Sequence, residues 1–305
     1  LKAVKDAVPD MHIHAFSPLE VWQGAASSNK DLRGYLEELK ATGLSTLPGT
    51  AAEILDDEVR QIICADKINT EQWLEVMREA HGVGFRTTAT IMYGHVDRPQ
   101  HWACHLLHIR DLQQRTGGFT EFVPLPYVHM EAPLYLKGQS RRGPTFRESL
   151  LMHAVARLVF HGLIDNIQAS WVKMGREGVA ACLKAGVNDL GGTLMNESIT
   201  RAAGSGHGQE WTPEQIEARI VANGKTPRMR TTLYADAPAG RRRAAFRAAP
   251  LVEVQGAPAA KQQRSKRLAA TGFPRVVPDE VQVVEVQPAP EIALYERVVL
   301  MAACN

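Results

Sequence analysis

Short apolar runs alternate with longer stretches of helical periodicity along most of the chain. Met11–Phe16 (MHIHAF) reads as a strand closed by Ser17-Pro18, and a helical stretch starts at Leu19–Trp22. In Asn29–Ala41, residues Leu32, Tyr35, Leu36 and Leu39 recur on one helical face, and Gly43 ends the helix. Leu44–Leu47 is the next short strand. Asp57–Cys64 and Thr70–His81 are helical, the second with Thr70 as its cap. Phe85–Met92 is rich in β-branched residues and predicts a strand. Pro99–Thr116 predicts a helix ended by Gly117-Gly118, and Glu121–Leu125 a strand. Pro144–His161 is a long helix, Asn166–Trp171 a strand, Gly175–Ala185 a helix, Val187–Leu190 a last strand and Pro213–Asn223 a closing helix. Ahead of all these, residues 1–8 read as the last turns of an amphipathic helix, broken at Pro9-Asp10.

Strict alternation of strand and helix argues a parallel sheet with helical crossovers. Units of about 30 residues suit a (β/α) barrel better than an open doubly wound sheet. Six such units are visible where a closed barrel has eight. The pattern therefore predicts an incomplete TIM-type barrel over residues 1–237, about six of eight units, with the missing two at the front. Residues 238–305 differ: they are rich in Ala, Arg, Pro and Gln, with basic clusters at Arg241–Arg243 and Lys261–Arg267. That composition predicts a solvated, low-complexity extension, with Val281–Val286 as a stray strand.

Composition narrows the class. The chain has 305 residues, 45% hydrophobic and 22% charged, which rules out wholesale disorder. Its 35 basic and 33 acidic residues leave a net charge of +2, which points to neither nucleic acid nor a charged membrane surface as partner. Four scattered cysteines form no CxxC pair, so a zinc ribbon or a dense disulfide framework is not indicated. A reduced, cytoplasmic chain without a membrane span is the expectation.

In a parallel barrel the chemistry sits at the C-terminal ends of the strands. There the sequence places His12 and His14, Glu53, Thr90, Met92, Tyr93, Gly94 and His95, then Gln168, Lys173, Asn188, Asn196 and the pair Gly191-Gly192. His12 and His14 alternate and so share one side of a strand. They suit a metal, a substrate or an ordinary hydrogen-bonded interior pair. Glu53 opens a helical turn, where its carboxylate suits either the helix dipole or a substrate amine. Gly191-Gly192 before Thr193 could cradle a polar group on backbone N–H. His101, His105 and His108 are spaced for one helix face but lie in a crossover helix, away from the strand ends. Cys64, Cys104 and Cys182 read as small buried residues.

Several segments are similar to those of the radical SAM enzymes of deazaflavin (FO) biosynthesis, on the tyrosine-using side. These are residues 11–18 (MHIHAFSP), 47–55 (LPGTAAEIL), 66–70 (DKINT), 90–95 (TIMYGH), 119–126 (FTEFVPLP), 171–174 (WVKM) and 189–198 (DLGGTLMNES). The resemblance runs in order from residue 1 to about 237. It implies a radical SAM barrel, a [4Fe-4S] cluster and S-adenosyl-L-methionine. It also implies transfer of the 4-hydroxybenzyl group of tyrosine to 5-amino-6-(D-ribitylamino)uracil, a step toward coenzyme F(420). A ring-closing radical SAM unit, separate or fused, and a reductant protein are the implied partners. On this resemblance Glu53, Thr90, Met92 and Gly94 are the cofactor-binding candidates. Tyr93, His95 and Lys173 are the catalytic candidates, and His12, His14, Gln168, Asn188 and Asn196 the substrate-binding ones. No residue is assigned to a metal.

One departure bears on activity. The family holds its cluster in a CxxxCxxC loop, and three thiolates are needed. No such motif occurs here. The expectation is that this chain corresponds to the C-terminal part of such an enzyme and starts no radical chemistry alone. Three alternatives remain at this point: a radical SAM enzyme of the futalosine route to menaquinone, a zinc-dependent hydrolase barrel built on His12-x-His14 with Lys173 and Asp189, and a non-catalytic fragment.

Overall fold

The computed structural model describes residues 1–194, 197–249 and 251. The elements in chain order are α1 (Lys2–Ala7), α2 (Pro18–Ser27), α3 (Leu32–Ala41), β1 (Thr46–Leu47), α4 (Asp57–Ile63), α5 (Thr70–Gly82) and β2 (Arg86–Tyr93). They continue with α6 (Pro99–Thr116), β3 (Phe119–Pro126), α7 (Pro133–Leu136), α8 (Phe146–Val159), α9 (Trp171–Lys184), α10 (Ile199–Ala202), α11 (Pro213–Ala222) and α12 (Ala239–Phe246).

β1, β2 and β3 form a parallel sheet in sequence order. Three further segments extend it by single parallel bridges. His14 pairs with Thr46 on one side; Ile167 pairs with Phe122, and Asp189 with Gln168, on the other. The six predicted strand positions thus stand side by side in chain order, the arrangement of six consecutive units of a barrel. The fold is α/β with an incomplete parallel barrel.

Three of the predicted strands, Met11–Phe16, Asn166–Trp171 and Val187–Leu190, are reduced to bridges. For the second, β3 supplies the reason. Phe122 donates its N–H to Asn166 O and accepts from the Gln168 N–H, at 2.9 and 3.0 Å. The next residue of β3 facing that neighbour is Pro124, which has no N–H to continue the ladder. Beyond it the chain leaves the sheet at Ser170 and enters α9 at Trp171. α9 starts four residues earlier than predicted and contains a break at Gly175, whose φ of 69° leaves the helical region.

Six of the described helices, α2, α3, α4, α5, α8 and α11, start at side-chain caps. Ser17 with Glu20, Thr145 with Glu148 and Thr212 with Gln215 form capping boxes, and Asp31 and Asp56 cap α3 and α4. The cap of α5 is Asn69 with Gln72, not Thr70 as the sequence suggested. The Thr70 hydroxyl instead donates to Asp57 Oδ1 at 2.7 Å, tying α5 to the start of α4.

Alternation along β2 sorts its side chains. Ala89, Ile91 and Tyr93 join the layer of helices, packed in a core with Trp73, Met77, Trp102, Leu106 and Ile109. Thr88, Thr90 and Met92 take the opposite face, the barrel interior. A second apolar cluster, with Val21, Leu36, Leu39, Val76 and Phe85, binds α2, α3 and α5. The chain divides into two units, Leu1–Pro250 and Leu251–Asn305. α12, which the composition assigns to the tail, belongs with the first, where Arg242 pairs with Glu217 of α11 at 2.8 Å. The predicted strand Val281–Val286 lies outside the described residues. No described helix is long and apolar enough to cross a membrane.

Candidate cofactor and substrate site

The loop after β1 folds against β2. Gly49 donates its N–H to Thr88 Oγ1 at 2.8 Å, and Thr90 Oγ1 donates to Gly49 O at 2.6 Å. The approach requires glycine: a Cβ at position 49 would stand 2.2 Å from Thr88 O. Further on, Glu53 O accepts from the Met92 N–H at 2.7 Å. The structure therefore gathers Glu53, Thr90, Met92 and Gly94 at one end of β2. Ala51 and Glu53 both hold positive φ, 60° and 44°, a conformation L residues avoid.

Arg60 of α4 stabilises that loop. Its side chain is buried, and its guanidinium donates to the carbonyls of Ala51, Ala52, Ile54 and Ile68. The carboxylate of Glu53 meets Lys67 at 2.6 Å. Sequence reading missed Arg60; its main partners are backbone carbonyls, which carry no residue pattern, and its Asp57 neighbour looks like an ordinary helical pair.

Tyr93 and His95 are committed elsewhere. Tyr93 is fully buried in the helix layer, edge-on to Trp102 at 5.5 Å between ring centres. Burial pushes its phenol well above the ordinary range. His95 Nδ1 accepts from the Val96 N–H at 2.8 Å, and its Nε2 donates to Met92 O at 3.0 Å. Burial lowers its pKa, so the ring stays neutral beside Asp97. Neither nitrogen is left for a substrate. Asp97 in turn accepts from the Gly94 and His95 N–H groups and from Trp102 Nε1, fixing the tight turn after β2. There, too, a Cβ on Gly94 would stand 2.2 Å from Pro144 Cδ.

His12 Nε2 and His14 Nδ1 both lie 2.8 Å from Thr46 Oγ1. Burial lowers both pKa values, with Lys5 adding at His12 and His12 at His14. Both imidazoles share the Thr46 hydroxyl, and both are exposed at the edge of the sheet. The zinc hydrolase alternative loses its fourth ligand as well, because Asp189 is held by Arg230 and by the Gly191 N–H. Among the helical histidines, His105 is buried and accepts from the Leu55 N–H at 3.0 Å. His101 groups with Asp56 and Glu58 instead. Its Nδ1 accepts from the Arg98 N–H at 3.1 Å.

Gln168 points into the interior, donating Nε2 to Glu121 Oε2 at 3.1 Å. Lys173 is largely buried and its pKa is lowered by that burial, against the pull of Glu197. Asn188 is spent on structure: Oδ1 accepts from the Ile167 N–H and Arg157 Nη2, and Nδ2 donates to Asp165 O. Asn196 lies outside the described residues. Two interior residues the sequence reading passed over, Arg230 and Tyr234, reach Glu121 from the far end of the unit.

Residues 116–241 match the family described as the CofH/MqnC C-terminal region. That match takes in 126 residues, less than half of the chain. Over 237 residues, 77% of this chain, the sequence is 50% identical to the 5-amino-6-(D-ribitylamino)uracil–L-tyrosine 4-hydroxyphenyl transferase of Methanocaldococcus jannaschii, covering 66% of that protein. It is 54% identical over 235 residues to the FO synthase of Mycobacterium leprae, covering 27% of it, and 51% identical over 244 residues to that of Streptomyces coelicolor, covering 28%. The chain thus spans about a quarter of the FO synthases and just under two thirds of the transferase. Among solved structures, methylornithine synthase shares the fold, with a TM-score of 0.53, 16% identity, and coverage of 80% of this chain and 64% of that one. These relatives are named for FO synthesis and for the tyrosine transfer, which does not favour the menaquinone alternative. Within the CofH/MqnC region stand Glu121, Gln168, Lys173, Asp189 and Arg230; the Glu53 loop and β2 precede it.

The described residues do not fit a [4Fe-4S] cluster. Cys64 and Cys182 are buried, on α4's end and on α9, and burial raises the pKa of both thiols, that of Cys182 to about 12. The one converging trio of metal-type ligands among the described residues, Asp56, Glu58 and His101, contains no thiol.

Proposed function

We propose that this chain forms the substrate-holding part of a transferase that joins the 4-hydroxybenzyl group of tyrosine to 5-amino-6-(D-ribitylamino)uracil in FO formation. The observation that carries the reading is the match of about half of all residues, over 237 positions, to a protein named for that transfer. Glu121, Gln168, Lys173, Asp189, Arg230 and Tyr234 lie within the matched family region, residues 116–241.

On this reading S-adenosyl-L-methionine, when bound, supplies the means of hydrogen abstraction from the amino acid. Glu53 would take its ammonium, with the backbone of Thr90–Gly94 alongside. The left-handed loop held by Arg60 aims Glu53 at the end of β2, and Lys67 shares its carboxylate. With one Gln168 N–H given to Glu121 and the Gly191 N–H to Asp189, the second Gln168 N–H and its Oε1 would meet a pyrimidine edge or a ribityl hydroxyl. Lys173, mostly desolvated, is an N–H donor in that wall. His12 and His14 with Thr46 stand beside β1 at the edge of the sheet. The thiolates for a cluster, the reductant and the ring-closing unit come from outside these described residues.

The test is binding and complementation. The purified chain is titrated with the diaminouracil by calorimetry. It is then mixed with a separately expressed N-terminal segment of the transferase relative, iron–sulfur reconstituted, and assayed for product from tyrosine. Saturable diaminouracil binding and product only in the mixture support the reading. Absence of both binding and product overturns it.

A further inference from the structure

Residues 228–237 return to the barrel as a tight strap. Arg230 and Asp236 form an antiparallel bridge, and Thr231 donates its N–H to Ala235 O at 2.8 Å. Tyr234 sits at the turn with a φ of 63°, a costly conformation for an aromatic residue. From that turn two side chains enter the interior together, with the Arg230 guanidinium 4.1 Å from the centre of the Tyr234 ring.

Their contacts close a ring. Arg230 Nε donates to Asp189 Oδ2, and its Nη2 lies 3.4 Å from Glu121 Oε2. Tyr234 donates its hydroxyl to the same Glu121 oxygen at 2.5 Å. That oxygen also accepts from Gln168 Nε2. Gln168 Oε1 lies over Gly191, where a Cβ would come within 2.7 Å of it. The Gly191 N–H then donates to Asp189 Oδ1 at 2.6 Å, which returns the path to Arg230. Trp171 Nε1 adds a bond to Gly192 O at 2.8 Å. An ionised carboxylate only accepts, so Glu121 dictates that Gln168 presents its nitrogen inward to the strap and its oxygen toward Gly191. Buried polar networks of this kind hold one arrangement when all members are satisfied.

We infer that Arg230 and Tyr234 are positioning residues: the strap sets the orientation of the Gln168 amide and of the Gly191–Gly192 turn as one unit. The functional meaning rests on the reading that the Gln168 amide faces the substrate, while the mechanical coupling does not.

The test uses the full chain, labelled with ¹⁵N, and hydrogen exchange of individual groups. The Gln168 side-chain signal is assigned by its loss in Gln168→Glu. Tyr234→Phe removes one hydroxyl; Arg230→Met removes the guanidinium and serves as the second variant. Both are expected to speed exchange of the Gln168 side-chain amide and of the Gly191 N–H at least tenfold. The Ala89 and Ile91 amides in β2 should change less than twofold. Unchanged exchange at Gln168 and Gly191 in both variants overturns the proposal. So does a uniform acceleration that includes β2, the mark of a strap that merely adds stability. Diaminouracil titration of the wild type separates the two readings. Coupled exchange without binding keeps the positioning role and rejects the proposed substrate.

Discussion

Replacing Arg60 tests the account of the Glu53 loop most directly. Its side chain is only 3% exposed, and the nearest carboxylate, Asp57, is 4.0 Å away. The charge is therefore neutralised mainly by backbone carbonyls, those of Ala51, Ala52, Ile54 and Ile68. Arg60→Met keeps much of the apolar stem and deletes every donor. Four carbonyls lose their partner, and each buried unsatisfied acceptor costs about 1–3 kcal/mol. Two effects offset that. Removing a buried charge recovers part of its desolvation cost, and water or loop relaxation re-satisfies some carbonyls. Breaking a buried charged network by removing one partner typically costs about 3–5 kcal/mol, which is the expected loss here. Relaxation would also release Ala51 and Glu53 from positive φ, worth about 1–2 kcal/mol per residue. The loop would then move as it loses stability. Arg60→Lys, with three donors on one nitrogen, should lose about half as much.

Urea unfolding followed by tryptophan fluorescence reads both effects, because Trp73 Nε1 donates to Thr50 O in the same loop at 3.2 Å. The expected result is a lower midpoint for Arg60→Met, a smaller drop for Arg60→Lys and a shifted native emission in both. A loss below about 0.5 kcal/mol for Arg60→Met, the range of an ordinary surface change, would refute the reasoning.

Further outcomes follow from the same geometry. Gly94→Ala places a Cβ 2.2 Å from Pro144 Cδ at a φ of 95° and should cost more than about 3 kcal/mol, read as a loss of soluble folded chain or a large drop in urea midpoint. Thr46→Val removes the hydroxyl that His12 and His14 share; because both imidazoles are exposed and can turn to water, the cost should be about 0.5–1.5 kcal/mol, the net worth of a hydrogen bond, and an unchanged urea midpoint would contradict the pairing. Acid should destabilise the fold early: His81, between Thr116 and Thr87, and His105 are held neutral by burial, with pKa values of about 4 and about 3 against 6.5. The unfolded chain takes up these protons first, so their stabilisation is complete above pH 6.5 and is lost as pH falls toward 4. Each contributes a slope of up to about 1.4 kcal/mol per pH unit. A urea midpoint flat from pH 7 to pH 5 would rule this out.

Much of the architecture is legible in the one-dimensional pattern because it rests on local rules. The run 85–92, rich in β-branched residues, and the proline-to-glycine run 99–117 mark β2 and α6 to within a residue. The order of the six strand positions follows from alternation alone. What the pattern could not show was the length of pairing. MHIHAF reads as six residues of strand, yet one bridge is made, because pairing depends on the neighbour's donors, and β1 is two residues long. Pro124 was visible as a residue, but its effect on the ladder to Gln168 appears only once the neighbour is known.

The site divides along the same line. Glu53, Thr90, Met92 and Gly94, grouped by the resemblance, lie within one loop and one strand end, where Glu53 O accepts from the Met92 N–H. Tyr93 and His95 lie in the same motif but serve it from within. One period of strand alternation turns Tyr93 to the helix layer, and a four-residue turn consumes both nitrogens of His95. The residues that local reading missed act over long separations: Arg230 reaches back 41 positions to Asp189, and Tyr234 reaches back 113 to Glu121.

These long contacts bear on how the work of such an enzyme is divided. The described interior is rich in amide, carboxylate and guanidinium groups, each committed to a partner that fixes its direction. It has no converging thiolates. Groups so arranged discriminate between polar ligands, since a buried donor or acceptor left without its match costs about 1–3 kcal/mol. They generate no reactive species by themselves. Recognition and initiation are then separable physically as well as in sequence. On the proposed function, binding of the diaminouracil rather than turnover is therefore the decisive property to measure on this chain: recognition is assigned to the interior built by Glu121, Gln168, Asp189, Arg230 and Tyr234, and the source of the radical to residues outside it.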